Sequence, residues 1–346
     1  MIVEYNDLAV DLDRVRRFLE SGSNERQTLD QRRFAYIACI SALYSSFENF
    51  SERLIFRFSE RLLADPARLS ADQMQTLRKS YVQNASNLLG KDLGSGRFEG
   101  ISHLDVAKSL ASCLDDTSPN VDLRLEVIGH HTSNIRWDTL CGLFRWAVPD
   151  LGERIRYSDA VKEWMSVKGN INNSTLPAVL KSELDDLVER RNEVAHRAIP
   201  DEILSYDRLL DKVAYIRAVS LGLVSSLVGI LLVPSSKNPA STLLGKIKRL
   251  YKNNRVAMVE SLHRPIAIDD YVLVAGGDNA STRWGRLLGL MVGEDHVREA
   301  QAGAQVSIHL EFATRKNADL HIIGESNPDL MALPQGIFGK YGPQSE

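Results

Sequence analysis

Apolar residues along the first two-thirds of the chain recur at intervals of three and four. In "DQRRFAYIACISALYSSFENFSERLIFRFSERLLAD" they fall at Phe34, Ile37, Ile40, Leu43, Tyr44, Phe47, Phe50, Leu54 and Phe58, the spacing of one face of an α-helix. Asp30 stands before this run as a candidate cap, and Pro66 follows its end. "SADQMQTLRKSYVQNASNLLG" opens on Ser70-x-x-Gln73, a capping box, and stops at Gly90. "HLDVAKSLASCL" predicts a further helix. Another is expected from about Arg136, with Asn134 as its cap. "PAVLKSELDDLVERRNEVAH" places Leu180, Leu184, Leu187, Val188 and Val194 on one side. "DEILSYDRLLDKVAYIRAVSLGLVSSLVGILLV" predicts a long final helix ended by Pro234.

The pattern then changes. "PSSKNPAST" has the composition of a linker. "LLGKIKRLYKNNR" predicts a short basic amphipathic helix carrying Lys246, Lys248, Arg249, Lys252 and Arg255. From Val256 the runs "YVLVAGG", "RWGRLLGLMVG", "AQVSIHLEF" and "ADLHIIG" are short, β-rich and evenly spaced, which predicts a small antiparallel barrel. The expected organisation is therefore mainly α: a helical bundle over 1–234, a linker with a short basic helix over 235–255, a β-barrel over 256–325 and an extended tail over 326–346.

Composition narrows the function classes. The 346 residues are 44% hydrophobic and 25% charged with a formal net charge of −3, so nucleic-acid binding has to come from local patches and not from the field of the whole chain. Cys39, Cys113 and Cys141 form no CxxC pair; they read as small buried hydrophobes in a reducing compartment. "MIVEYNDLAVDLDRV" has no continuous apolar core and does not read as a signal peptide, so a cytoplasmic location is expected. Ala218 to Val233 is apolar but shorter than the roughly 20 residues of a membrane span, and it contains three serines. A buried core helix is the expectation, with no membrane partner. Gly94-x-Gly96 follows no strand, and no G-x-x-x-x-G-K-[ST] occurs, so no phosphate cradle is expected. His130 and His131 are adjacent, poor spacing for two ligands on one metal, and read as loop residues. No cofactor or metal is called for.

The chemistry concentrates in "LVERRNEVAHRAIP". Asn192 and His196, four apart, share a helix face. Arg191 lies about 140° around from His196 on an ideal helix, a gap that a long side chain and a distorted last turn would narrow. An imidazole can move the proton of an RNA 2′-hydroxyl. A guanidinium can hold the scissile phosphate, and Asn192 can bond the phosphate or fix the histidine tautomer. Spacing alone leaves the alternative open that Arg and His here only complement the helix macrodipole.

"RNEVAH" resembles the R-N-x-x-x-H signature of the HEPN superfamily, all-α domains many of which are metal-independent endoribonucleases of bacterial defence and toxin systems. The segment "LDDLVERRNEVAHRAI" leading into the long apolar helix has the order found there. "HTSNIRWDTLCGLFRWAVP" and "RRFAYIACISALYSSFENFSERLI" resemble helices of a HEPN group associated with restriction and abortive infection; together the resemblance covers roughly residues 26 to 233. It implies Arg191 and His196 as a catalytic pair with Asn192 supporting, Glu48, Arg190 and Arg197 as further supporting candidates, and a homodimer or higher oligomer in which two clusters face one groove; the polar-face position of Glu48, with Ser41, Ser45 and Glu52, equally fits a solvated stripe. Arg197 departs from the small residue, often glycine, that many relatives carry after the histidine. HEPN domains also include non-catalytic members.

Residues 256 to 323, through "LLGLMVGEDHV" and "AQAGAQVSIHL", resemble the β-barrel that follows the GTPase domain in elongation factor Tu and related translation GTPases. That resemblance implies contact with ribosomal RNA, tRNA ends or a protein domain. With the basic residues Lys246 to Arg255 it makes RNA the expected partner and a phage or translation-factor protein a candidate trigger. The expected activity is an endoribonuclease of antiviral defence, abortive infection or toxin-mediated growth arrest. The alternative is a non-catalytic dimerisation or adaptor protein whose barrel binds a translation-machinery or phage component.

Overall fold

The computed structural model describes residues 1–23, 27–65, 68–115, 121–168, 171–197, 200, 202–233, 241–274 and 282–324. The expected stops at Pro66 and Pro234, most of the linker and the 326–346 tail lie outside these residues. The chain divides into two compact units. One comprises Met1, Val3–Arg156 and Trp164–Ser220; the other comprises Ile2, Tyr157–Glu163 and the chain from Leu221 onward. The division falls inside the last helix, not in the linker where sequence composition changes.

The helices are α1 (Ile2–Ser23), α2 (Leu29–Leu63), α3 (Ala71–Leu89), α4 (His103–Leu114), α5 (Leu125–Ile128), α6 (Trp137–Phe144), α7 (Leu151–Arg156), α8 (Asp159–Lys168), α9 (Leu176–His196) and α10 (Tyr206–Leu232). The fold is mainly α, as the periodicity predicts. α2 is the organising helix of the first unit: Tyr36, Ile40, Leu43, Tyr44, Phe47, Leu54 and Phe58 are buried on one face, and it packs on α5, α6 and α9. Phe34, expected on that face, is instead exposed. The α2 cap is Thr28, not Asp30: Thr28 accepts from the Gln31 N–H while the Gln31 side chain accepts from the Thr28 N–H. Asp30 sits inside the first turn, where a carboxylate complements the helix dipole. The Ser70–Gln73 box caps α3 as predicted.

α9 buries Leu180, Leu184, Leu187 and Val188. Lys212 of α10 is almost fully buried, with its ammonium 2.5 Å from Glu183 and 2.7 Å from Asp186, so a charge inside the bundle is paired twice. By length and composition α10 could cross a membrane, yet 78% of its most apolar window is buried inside the protein. That is the core-helix expectation. Cys39 and Cys113 are buried and all three cysteines are free thiols; burial pushes each thiol up to about 11.

The second unit contains β1 (Ser241–Tyr251), β2 (Val256–Val259), β3 (Ile266–Ala267), β4 (Tyr271–Val274), β5 (Arg283–Val292), β6 (Asp295–Val297), β7 (Glu299–Ala300), β8 (Val306–Leu310) and β9 (Asp319–Ile323). Strands β4-β9-β1-β2-β8-β5 pair antiparallel in that order, and β5 returns to β4, closing a six-stranded barrel. β6 extends β5 as a hairpin, and β3 pairs with β7. Leu244, Ile247, Val259, Leu287, Ile308, Leu310 and Phe312 fill the interior.

The expected boundary between linker and barrel is corrected as well. The basic segment Lys246 to Arg255 is not a helix and the barrel does not begin at Val256: β1 starts at Ser241. A bulge between Ile247 and Arg249 leaves Lys248 and Arg249 both on the outside. Strand alternation is broken there, and the residue pattern imitates the polar face of a helix. The turn that follows, Lys252–Asn254, has φ of 47°, 57° and 64°, a left-handed conformation that asparagine tolerates.

Gly245 lets β1 lie close to its neighbours: a Cβ there would stand 2.7 Å from Val259 Cγ1 and 2.9 Å from the Ser261 carbonyl oxygen. Gly245→Val is expected to destabilise the barrel by about 1–3 kcal/mol, the usual cost of overpacking. Amide exchange in β1 and β2 should accelerate while α2 and α9 keep their protection. Unchanged exchange in β1 would refute this account.

Candidate functional site

Two consecutive arginines near the end of α9 have opposite environments, because successive helical positions point about 100° apart. Arg190 is a strut. Its Nε donates to both Asp186 carboxylate oxygens at 3.1 Å, and Nη1 donates to the Tyr36 hydroxyl at 3.3 Å. Arg191 faces α2 instead. Its guanidinium lies 5.1 Å from the centroid of the Tyr44 ring, a cation–π geometry, and Nη1 donates to Asn192 Oδ1 at 3.3 Å. Among the described residues Arg191 has no carboxylate partner within ion-pair distance.

Asn192 Oδ1 also accepts from Asn134 Nδ2 at 2.6 Å. Asn134, expected to cap α6, therefore reaches to α9, and the residue at the α6 N-cap is Arg136, without a side-chain cap bond. Tyr44 ties the same loop to α2. Its hydroxyl accepts the Ile135 N–H at 3.0 Å and donates to Glu48 Oε1 at 3.0 Å. Burial holds the phenol far above its ordinary range, so it stays protonated and remains a donor. Glu48 thus acts on Arg191 only at one remove, by fixing the aromatic ring beneath it.

Next to Glu48 stands His131, whose side chain is 6% exposed. Its Nε2 lies 2.8 Å from Glu52 Oε1 and 3.7 Å from Glu48 Oε1, and its Nδ1 lies 2.5 Å from the Ser133 carbonyl oxygen. Burial opposes charge on this ring. The Glu52 hydrogen bond, the Ser133 carbonyl and the Glu48 charge outweigh it, and the imidazole pKa is raised above its usual 6.5. His131 is a loop residue as expected, but its side chain is largely buried. Arg136 Nη2 is 2.5 Å from Glu189.

These groups line a cleft of about 410 Å³, with Glu48, His131, Ser133, Asn134, Arg136 and Arg191 on its walls. A second depression, of about 580 Å³, is lined by Arg190, Asn192, Glu193, His196, Arg197 and Glu202. His196 is exposed, and its ring has no hydrogen-bond partner among the described residues. α9 stays regular to His196, and only Arg197, at the C-cap, turns extended (φ −121°, ψ 130°). No distorted last turn draws the histidine toward Arg191. Within one chain Arg191 and Asn192 are brought together. His196 belongs to the neighbouring depression, which Asn192 also lines while bonding to Asn134 and Arg191 of the first cleft. Arg197 lies 3.8 Å from Glu193.

Sequence reading missed His131, Asn134 and Arg136 as parts of the cleft, and Tyr44 as the support of Arg191 and Glu48 beside it. Tyr44 carries only a core signal. The other three sit in "HTSNIR", a polar run entering a helix, and that was the available clue. The basic residues of the second unit, Lys246, Lys248, Arg249, Lys252 and Arg255, are all exposed along β1 and its turn. Lys248 is 3.3 Å from Glu260, and Arg255 Nη1 donates to the Glu311 carbonyl oxygen.

Residues 153–229 match the family model described as RiboL-PSP-HEPN. The match covers under a quarter of the chain, contains the whole "RNEVAH" run, and runs from within α7 to within α10. It supports a HEPN assignment for this part of the helical bundle and, at a coarse level, a nuclease or RNA-related role. No curated protein matches the chain.

The two arginines should separate on mutation. Arg190→Ala, which strips charged hydrogen bonds from Tyr36 and Asp186, is expected to cost about 1–3 kcal/mol of stability. Arg191→Ala, which loses chiefly a ring contact, is expected to cost below about 1 kcal/mol. Urea unfolding of both variants measures the difference; equal losses would contradict the division into a strut and an available cation.

Proposed function

We propose that the protein is a metal-independent endoribonuclease in which Arg191 grips the scissile phosphate, His196 moves protons and Asn192 holds Arg191 in place. The observation that carries this reading is a guanidinium fixed over Tyr44 at the wall of a cleft, with no carboxylate to neutralise it among the described residues. Such a group is ready for an anion. In the reaction, the imidazole of His196 takes the proton of a 2′-hydroxyl while that oxygen attacks phosphorus. The P–O5′ bond breaks, the departing oxygen takes up a proton from an imidazolium or from water, and the products are a 2′,3′-cyclic phosphate and a 5′-hydroxyl. Arg191 offsets the charge that builds on the phosphoryl oxygens.

Because one chain sets Arg191 and His196 in neighbouring depressions, this reading calls for a two-fold homodimer in which clusters from both copies border one groove. The exposed cations of β1 and its turn, Lys246, Lys248, Arg249, Lys252 and Arg255, would add a backbone-tracking surface for RNA. Their setting in a translation-factor-like barrel favours tRNA or ribosomal RNA as target. A nuclease of that kind fits antiviral defence, abortive infection or growth arrest in a bacterial cytoplasm, released by a phage or translation-factor protein.

The second reading is a non-catalytic dimerisation or adaptor protein. The solvent-facing His196, without a hydrogen-bond partner among the described residues, is the observation in its favour.

Wild type, Arg191→Ala and His196→Ala are to be expressed with and without phage challenge, and RNA ends sequenced. The nuclease predicts new cyclic-phosphate ends that fall by about 10²-fold or more in either variant, the scale of losing one acid–base or charge-stabilising group. Equal activity in all three, with folding retained, favours the adaptor.

A further inference from the structure

We propose that Glu48, Glu52 and His131 form a binding site for one divalent transition-metal cation, Zn2+ by its donor set, which fastens the loop carrying His131 to Asn134 onto α2. The site stands apart from the cleavage reading: no step of the proposed reaction runs through the ion.

The donor geometry comes first. Glu48 and Glu52 are four apart on α2 and so share a face. His131 arrives from the loop before α6, and one ligand atom from each residue lies within 4.8 Å of the others. A Zn2+ ion bound by imidazole nitrogen and carboxylate oxygen at about 2.0–2.2 Å in a tetrahedral shell holds its donors about 3.3–3.6 Å apart. The Nε2 separations of 2.8 Å from Glu52 and 3.7 Å from Glu48 bracket that spacing. The cleft beside Glu48 and His131 supplies room for a water as fourth ligand.

The outer shell fits as well. Nδ1 faces the Ser133 carbonyl oxygen, which can only accept, so the proton of a neutral ring sits on Nδ1 and the Nε2 lone pair points at the two carboxylates. Metal-bound histidines are held in the same way, by a backbone carbonyl on the far nitrogen. A lone pair aimed at a carboxylate oxygen 2.8 Å away is repulsive, so a cation belongs between them. A metal ion there could bond the Nε2 lone pair and an oxygen of each carboxylate at once, which a single proton on Nε2 cannot. Glu48 also accepts from Tyr44, which orients it as a ligand.

The loop is already seated closely enough to be fastened. Gly129 packs on α2 so tightly that a Cβ would lie 3.3 Å from Glu52 Cβ. Binding exchanges a proton for the metal: Nε2 releases any proton it holds to solvent and its lone pair joins the ion. Drawing His131 to α2 holds Asn134 against Asn192, and through Asn192 steadies Arg191.

The full chain is to be stripped with a chelator, dialysed, and titrated with Zn2+ by calorimetry and with Co2+ by absorption spectroscopy, with metal content measured after gel filtration. The expected result is about one ion per chain and intense tetrahedral Co2+ bands. Glu52→Gln and His131→Gln should each weaken binding by more than about 10-fold, the loss seen when even an outer-shell partner is removed. His263→Ala, at an exposed histidine of the barrel, should bind as wild type. Absence of stoichiometric metal in the wild-type chain overturns the proposal, and so does binding that survives both Glu52→Gln and His131→Gln. An isolated His131 imidazolium paired with Glu52 would give that metal-free result. Arg191→Ala should still bind the ion, so failure of the cleavage reading and failure of this site are told apart.

Discussion

A single phenol sets the geometry of the helical unit's cleft. Tyr44 is buried on α2, where an unsatisfied hydroxyl would be costly. It spends its acceptor capacity on the Ile135 N–H and its proton on Glu48, and that fixes the plane of its ring. The ring face in turn receives Arg191. Three segments far apart in sequence, α2, the loop before α6 and α9, therefore meet at one side chain. Arg191 keeps an unneutralised charge because the groups holding it are a π-face and an amide oxygen. Its neighbour Arg190, turned toward Asp186 and Tyr36, is consumed by the fold.

What could be read from the sequence follows the range of the interactions involved. Helices with apolar residues at three-and-four spacing were legible, as was the Ser70–Gln73 box, because both are local. Four of the strands from Tyr271 onward were legible by β-rich composition and even spacing. Thr28-x-x-Gln31 has the same form as the Ser70 box, but Asp30 stands nearer the apolar run and drew the assignment. β1 was misread because a bulge puts Lys248 and Arg249 outward in succession, and no local rule announces a bulge. The cleft itself was half legible. Arg191 and Asn192 belong to a recognisable motif, whereas His131–Glu52 and Asn134–Asn192 are contacts across 79 and 58 positions with no signature along the chain. The placement of His196 turned on whether α9 stays regular to its end, which residue types do not decide.

The two units also handle charge differently. In the helical unit cations are mostly paired: Lys212 with Glu183 and Asp186, Arg190 with Asp186, Arg136 with Glu189. Arg191 differs from these three in resting on a ring face and an amide oxygen. Along β1 the cations stand in a row on the outside of a closed barrel, with Lys248 beside Glu260. A chain of net charge −3 thus carries a local concentration of positive charge on β1 and its turn.

The placement of Leu221–Leu232 with the strands has a consequence for how this architecture is inherited. Trp284, the largest fully buried side chain there, donates its indole N–H to the carbonyl of Ser225 in α10, and Thr282 lies against Gly229. A graft that moved only the strands to another polypeptide would strip the indole of its acceptor and bare apolar surface on both donor and recipient. A transfer that kept this bond would have to carry the final turns of α10 together with the strands.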